Sequence, residues 1–359
     1  MLTCMSNSLN LGQMFIVGFR DCEVDSDHWI VKAIQRDRLG GVILFDRNID
    51  TSVQNIDSPE QLRQLVLCLQ QYAEKALFVA IDQEGGAVCR LKERDGFPAS
   101  LSAATLAGQG VVATKRAATA MAAMLADHGI TLNFAPVVDL DLNHDNPIIG
   151  RYNRSFGKVP ETVIGHAAVI IEAHHQHGIG CCLKHFPGHG SAGGDSHLGF
   201  VDITECWQQV ELEPYRRLID LGYCDGIMTA HLVHRGLDPA GLPATLSSRM
   251  VSGILRQQLG FNGVVFSDDL QMRAISNGWS YAEAVQQAVL AGVDVLVVGN
   301  NLDPREDVVQ VGIQALGELL DKGRIDEKRI RESLTRIALF KEKISGKQSW
   351  NHTGPPTVW

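Results

Sequence analysis

The chain has no apolar run that reaches the roughly 18 residues a membrane-crossing helix needs; its longest hydrophobic stretches are broken by polar side chains well short of that. Basic charge is scarce. Lys and Arg number 32 against 41 Asp and Glu, a net charge of −9, so no basic stripe is available to neutralise phosphates and a nucleic-acid partner is excluded. The eight cysteines, at positions 4, 22, 68, 89, 181, 182, 206 and 224, form no CxxC pair. That excludes the short-spaced zinc and redox motifs, and buried reduced thiols are expected instead. The opening MLTCMSNSLNLGQMFIVGFRD lacks the basic, apolar, small-residue order of a signal peptide, because Gly12, Gln13 and Gly18 interrupt it. A cytoplasmic protein is therefore expected. Short-period repeats, linkers and composition breaks are also missing up to about residue 345.

What the chain does have is a series of short, β-branched apolar runs, each leading into a longer helical pattern. They are FIVGF (15–19), GVILF (41–45), LFVAID (77–82), LNFAPVVDL (132–140), GCCLKHF (180–186), GIMTAH (226–231), GVVFSDD (263–269) and VDVLVVG (293–299). Near-continuous apolar runs mark strands covered on both faces, as in parallel sheets flanked by helices. Helix-like patterns lie between them at 27–38, 59–75, 114–128, 161–177, 205–221, 247–259, 281–291 and 306–322, with Ser58 ahead of Pro59 as a helix cap. This alternation predicts an α/β fold, a (β/α)8 TIM barrel in one domain over residues 1–345, with a doubly wound sheet as the alternative. Residues 346–359, with Pro355 and Pro356, are expected to be a poorly ordered tail.

In such a barrel the site sits at the carboxyl ends of the strands. Polar residues gather there: IDQEGG (81–86), APVVDLDLN (135–143), LKHFPGHG (183–190), MTAH (228–231) and FSDDLQM (266–272). Charges at five strand ends cost free energy unless they are paired or used. The segment LKHFPGHGSAGGDSHLGF (183–200) is the densest. Pro187 and the glycines exclude a helix, and residues 188–197 are expected to be mobile. A metal site of His185, His189, Asp195 and His197 stays open, without a specific spacing to support it. Asp195 lies two residues before His197, where its carboxylate can accept the imidazole N–H and fix the tautomer, making His197 a candidate proton donor and acceptor; the alternative is a solvated turn. Of the two carboxylates in SDD, Asp268 is expected to face the barrel mouth, where it can act as a nucleophile, and Asp269 to cap the following helix. Asp82 with its glycine turn suits a sugar's hydroxyls, with Arg90 shortly beyond it, and Arg154 and Lys184 add long donors, although each alone is more often a surface ion-pair residue. His174, His175 and His177 read as structural groups at a helix end.

Together, LKHFPGHG followed by DSH, IDQEGG, NRSFG and FSDDLQM resemble glycoside hydrolase family 3, and within it the single-domain bacterial β-N-acetylglucosaminidases. The resemblance runs over most of residues 10–340 in the family's order. It implies the barrel, and by position it implies Asp268 as nucleophile, His197 as acid/base and Asp195 as its orienting partner. Asp82, Arg90, Arg154, Lys184 and His185 match positions that hold the N-acetylglucosamine unit. The implied partner is a small carbohydrate, a muropeptide of cell-wall recycling, with no cofactor, no metal, no nucleic acid and no membrane. Two positions depart from the family's pattern: Ala87 where arginine is usual, and Ser191 where an acid follows GHG. Two other classes remain beside the glycosidase, a metal-dependent barrel hydrolase and a sugar-binding barrel without turnover. The sequence carries no reading of oligomeric state.

Overall fold

The computed structural model describes residues 9–345; the expected tail, 346–359, lies outside the described residues. Eight strands form one parallel sheet: β1 Phe15–Gly18, β2 Gly41–Ile43, β3 Phe78–Ile81, β4 Leu132–Asn133, β5 Gly180–Phe186, β6 Gly226–Thr229, β7 Val264–Phe266 and β8 Leu296–Val298. Each falls inside one of the eight apolar runs. The strands pair in chain order, and β8 also pairs with β1 in the register Phe15–Leu296 and Val17–Val298. A parallel bridge between Phe266 and Val295 joins β7 to the run that enters β8, which closes the ring. The fold is a (β/α)8 TIM barrel.

All residues of these strands are buried, which is why the sequence reads as continuous apolar runs without alternation. The β4 ladder stops after Asn133, because Pro136 has no N–H to donate, and resumes as a bridge from Val137 to Lys184. Inside the barrel the rings of Phe134 and Phe266 meet edge to face at 5.6 Å, filling the interior with side chains.

The expected helices are present with modest changes at their ends. Ser58 Oγ accepts from Gln61 N at 3.3 Å, the cap anticipated ahead of Pro59. The segment expected to be helical over 205–221 is shorter, a tight turn Gln209–Leu212 followed by Glu213–Asp220. Among the described residues, two helices of seven or more residues carry no counterpart in the sequence reading: Ala103–Gln109 and Glu327–Ser345. The second floors the barrel. Phe340 lies edge-on to Phe78 at 5.3 Å, and a Cβ at Gly180 would meet its ring at 2.4 Å, so only glycine fits there. Lys341 Nζ donates to Gln13 Oε1 at 2.9 Å and to Gly40 O at 2.7 Å. Its burial lowers the ammonium pKa to about 7.

Of the histidines read as structural at the helix end, one lies in the core. His174 is fully buried, its ring paired with Ile170 O and the Asn133 amide, and burial lowers its pKa to about 4. It is a neutral core residue and no dipole-stabilised cation. Among the described residues seven cysteines are free thiols, and Cys206 is exposed where burial was expected.

Candidate active site

At the carboxyl end of the strands the loops surround a cavity of about 340 Å³, lined among others by Asp82, Arg90, Arg154, Lys184, His185, His197 and Asp268. The barrel thus brings together seven of the eight residues singled out in the sequence. The eighth, Asp195, reaches the cavity through His197.

The floor of the cavity is an ion network. Lys184, at the end of β5, places Nζ 2.8 Å from Asp82 Oδ1 and 2.7 Å from Glu84 Oε1. Arg90 reaches Asp82 Oδ2 at 3.3 Å and lies over the Phe45 ring at 5.1 Å. Arg154 grips Glu84 with two bonds, both 2.7 Å. Burial alone would push these carboxyls up, yet the cations outweigh it: Lys184 and Arg90 hold Asp82, and Arg154 and Lys184 hold Glu84, well below the usual carboxylate range. Burial likewise works against the Lys184 ammonium, but Asp82 and Glu84 raise its pKa overall. The network is charged throughout and presents fixed donors and acceptors to a polyhydroxylated ligand.

His185 is oriented by Asp139, which ends the run that follows β4. Asp139 Oδ2 sits 2.7 Å from His185 Nδ1, and its carboxylate also accepts the His185 and His189 backbone N–H groups. On the other side His185 Nε2 faces Arg154 Nη2 at 3.3 Å. Arginine can only donate, so the contacts assign the proton to Nδ1 and leave Nε2 an acceptor.

At the end of β7, Asp268 lines the cavity, and its Oδ1 accepts the Asp269 N–H at 2.8 Å. Burial favours the neutral acid, but the imidazoles of His231, His185 and His197 prevail and lower its pKa, keeping it ionised. Asp269 does not cap a helix, contrary to expectation. The next helix, Arg273–Ser276, starts after Met272 and has no side-chain cap. Leu270 N is still tied to Val297 O, so the chain follows the barrel wall past Asp269, whose carboxylate accepts the Gln271 N–H at 3.0 Å. Burial and the nearby Asp268 raise the Asp269 pKa to about 6.

His197 stands at the rim with its side chain 54% exposed, and Asp195 Oδ1 lies 2.8 Å from its Nδ1. This is the pairing anticipated from DSH, and it directs Nε2 away from the carboxylate. The loop that carries the pair is not uniformly free. Residues 188–192 are buried, and a Cβ at Gly190 would meet Leu140 O at 1.6 Å. The expectation of mobility over 188–197 is therefore corrected for its first half, which is packed and hydrogen-bonded. Only from Gly193, which has nothing within 4 Å of its Cβ position, does the loop open.

Glu84, Asp139 and His231 lie in the polar strand ends and join the site, although the sequence does not single them out. His231 Nε2 lies 2.8 Å from Asp269 O, which ties the end of β6 to the turn that carries Asp268 and Asp269. Among the described residues no group of three or more His, Cys, Asp or Glu side chains is arranged to hold a metal ion.

The family described as glycosyl hydrolase family 3 N terminal domain matches residues 8–339. Among curated relatives, a beta-hexosaminidase of Tolumonas auensis is 40% identical over 286 residues, 78% of this chain and 80% of that protein. One of Pasteurella multocida is 37% identical over 330 residues, 89% of each. Among solved structures, a glycoside hydrolase family 3 β-N-acetylglucosaminidase of a Paenibacillus species superposes with a TM-score of 0.85 at 34% identity, covering 97% of this chain and 64% of that one.

Proposed function

The chain belongs to glycosyl hydrolase family 3 and is a glycoside hydrolase; from that premise we propose that it is a retaining β-N-acetylglucosaminidase releasing terminal N-acetylglucosamine from muropeptides. The observation that carries this reading is the pairing, in one cavity, of an ionised Asp268 with a His197 whose Nδ1 is held by Asp195.

The reaction follows the retaining template in two steps. The Asp268 carboxylate attacks the anomeric carbon while the glycosidic C–O bond breaks, and protonated His197 gives its Nε2 proton to the departing oxygen. The neutral imidazole then takes a proton from water, whose oxygen displaces Asp268 and frees the sugar. Asp195 keeps the Nδ1 proton in place through both steps, so Nε2 carries the exchange. Asp82, Lys184, Arg90, Arg154 and His185 hold the sugar's hydroxyls and acetamido group. The cycle uses no cofactor.

An imidazole in the acid/base position suits an acidic leaving group. The muramic carboxylate would be repelled by a second carboxylate and is not repelled by histidine. Muropeptides in the cytoplasm are the substrates this favours. The test compares nitrophenol release from the N-acetyl-β-glucosaminide and from the plain β-glucoside, with and without phosphate, and then lactyl-bearing against uncharged disaccharides. Equal rates on the first pair would remove the N-acetyl specificity. No preference for the acidic disaccharide would remove the muropeptide reading.

A further inference from the structure

Beneath the His197 loop lies a buried carboxylate that the chemistry above does not use. Glu211, in the turn Gln209–Leu212, is 1% exposed. Its Oε1 accepts the Ser191 hydroxyl at 2.6 Å and the Gln208 N–H at 3.2 Å, and its Oε2 accepts the N–H groups of Gly190 and Ser191 at 3.1 and 3.4 Å. Three of these four donors belong to the loop. Among the described residues no cation pairs with it; the charged or titratable groups facing it are Asp139, Tyr215 and Cys206, and burial first, with Asp139, raises its pKa to about 7. The Tyr215 hydroxyl is buried without a partner.

The contact leaves little room for adjustment. A Cβ at Gly188 would lie 2.6 Å from the Glu211 Cβ, so the loop backbone rests directly on this side chain. On its far side the loop is tied once more, where Ala274 N donates to Ser196 O at 3.3 Å. Asn143 Nδ2 also donates to Ala192 O at 3.1 Å, so the loop is fixed in two places, one over Gly190 to Ala192, held by Glu211 and Asn143, and one at Ser196, between the two members of the Asp195–His197 pair. The second is shared with the segment that follows Asp268 and Asp269. Ser191, noted above as a departure from the family's acid, thus has a carboxylate beside it, supplied by a different element.

We propose that Glu211 is a positioning residue for the acid/base: by holding Gly190 and Ser191 it sets where Asp195 and His197 stand over the cavity, without touching substrate. The inference rests on the His197 role proposed above. Weakening the anchor moves proton donation and spares the sugar pocket, because Asp82 directly follows β3, Lys184 belongs to β5 and Arg154 to the loop after β4.

The experiment measures kcat and KM for Glu211→Gln, Glu211→Ala and Ser191→Ala on N-acetyl-β-glucosaminides with leaving groups from activated dinitrophenol to unactivated sugars, with inhibition by free N-acetylglucosamine and the pH profile. Glu211→Gln and Glu211→Ala are expected to lower kcat about 10-fold or more on the unactivated substrates and far less on the aryl ones. Ser191→Ala is expected to give a weaker form of the same pattern, with inhibition by N-acetylglucosamine unchanged in all three. Amide exchange at residues 190–197 should quicken. A loss equal across leaving groups, or weaker N-acetylglucosamine inhibition, overturns the inference in favour of a purely structural role, and so does an unchanged kcat. Should Glu211→Ala fail to fold, Glu211→Gln and Ser191→Ala decide. The control is His197→Ala: if it shows no dependence on the leaving group, the acid/base reading itself fails, whereas a normal His197→Ala pattern with an indifferent Glu211 sinks only the anchor.

Discussion

Arg154 and Glu84 face each other through two hydrogen bonds, Nε to Oε2 and Nη2 to Oε1, both at 2.7 Å, with side chains only 8% and 5% exposed. The fork fixes the guanidinium plane against His185 and leaves Glu84 shared with Lys184. Removing one partner strands a buried charge. Glu84→Ala is expected to destabilise the fold by about 3 kcal/mol and to raise KM for N-acetyl-β-glucosaminides, because Lys184 and Arg154 then compete for Asp82. Denaturant midpoints and steady-state kinetics check both. An unchanged KM would detach Glu84 from the sugar pocket.

Asp268 and Asp269 are adjacent, but their pKa values are shifted in opposite directions, the first down and the second up. Asp268→Ala should lower turnover by at least about a thousandfold if the carboxylate proposed as nucleophile is the one that attacks, while the thermal midpoint stays close to that of the parent. Asp269→Asn keeps an oxygen for the Gln271 N–H and should retain most of the activity. The reverse ranking would transfer the nucleophile to Asp269.

His197→Ala should slow unactivated glycosides far more than dinitrophenyl ones, by about a hundredfold or more against a small factor. Asp195→Ala should show the same slope against leaving-group basicity with a smaller amplitude. A flat response for His197→Ala would return the residue to binding.

Stability should depend on pH in two opposed ways. Glu211, whose folded pKa is about 7 against 4.5 in the unfolded chain, binds its proton more tightly when folded. Its contribution is complete below pH 4.5 and is lost as pH rises through 7. Asp82 and Glu84 have lowered folded values, so theirs is present above their unfolded pKa values and lost on acidification. Urea midpoints against pH should therefore fall on the acid side and also between about pH 4.5 and 7, where Asp269, raised to about 6, adds to the loss, and Glu211→Gln should reduce the second limb without touching the first. A second limb undiminished in that variant would assign it to Asp269 alone.

All eight strands were legible because they are buried on both faces and their apolar runs need no partner to be seen. Helix Glu327–Ser345 was not. Its solvent side is charged, its inward positions Ile330, Ile337, Phe340 and Ile344 are widely spaced, and one core-facing residue is Lys341. In the site, the Asp195–His197 pair could be read locally because its members lie two residues apart. Glu84, Asp139 and Glu211 gain their roles from partners 70, 46 and 20 residues away, and nothing near them in the chain marks the meeting. Asp269 misled because a carboxylate ahead of a helix-like run suggests a cap, while the wall hydrogen bond of Leu270 delays the helix.

The floor helix also sets the order in which this protein can be completed during synthesis. Lys341 bonds to Gln13 and to the Gly40 carbonyl, and Phe340 lies against Phe78, while β8 must pair with β1 to shut the ring. These contacts join the last-made part of the described chain to the first-made part. While the ribosome is still adding residues before 296, the opening strand has an unpaired edge and the interior lacks its base, so the growing chain exposes apolar surface for most of its translation. Closure of the ring and docking of the floor helix are thus late events, and both join segments that are far apart in the chain.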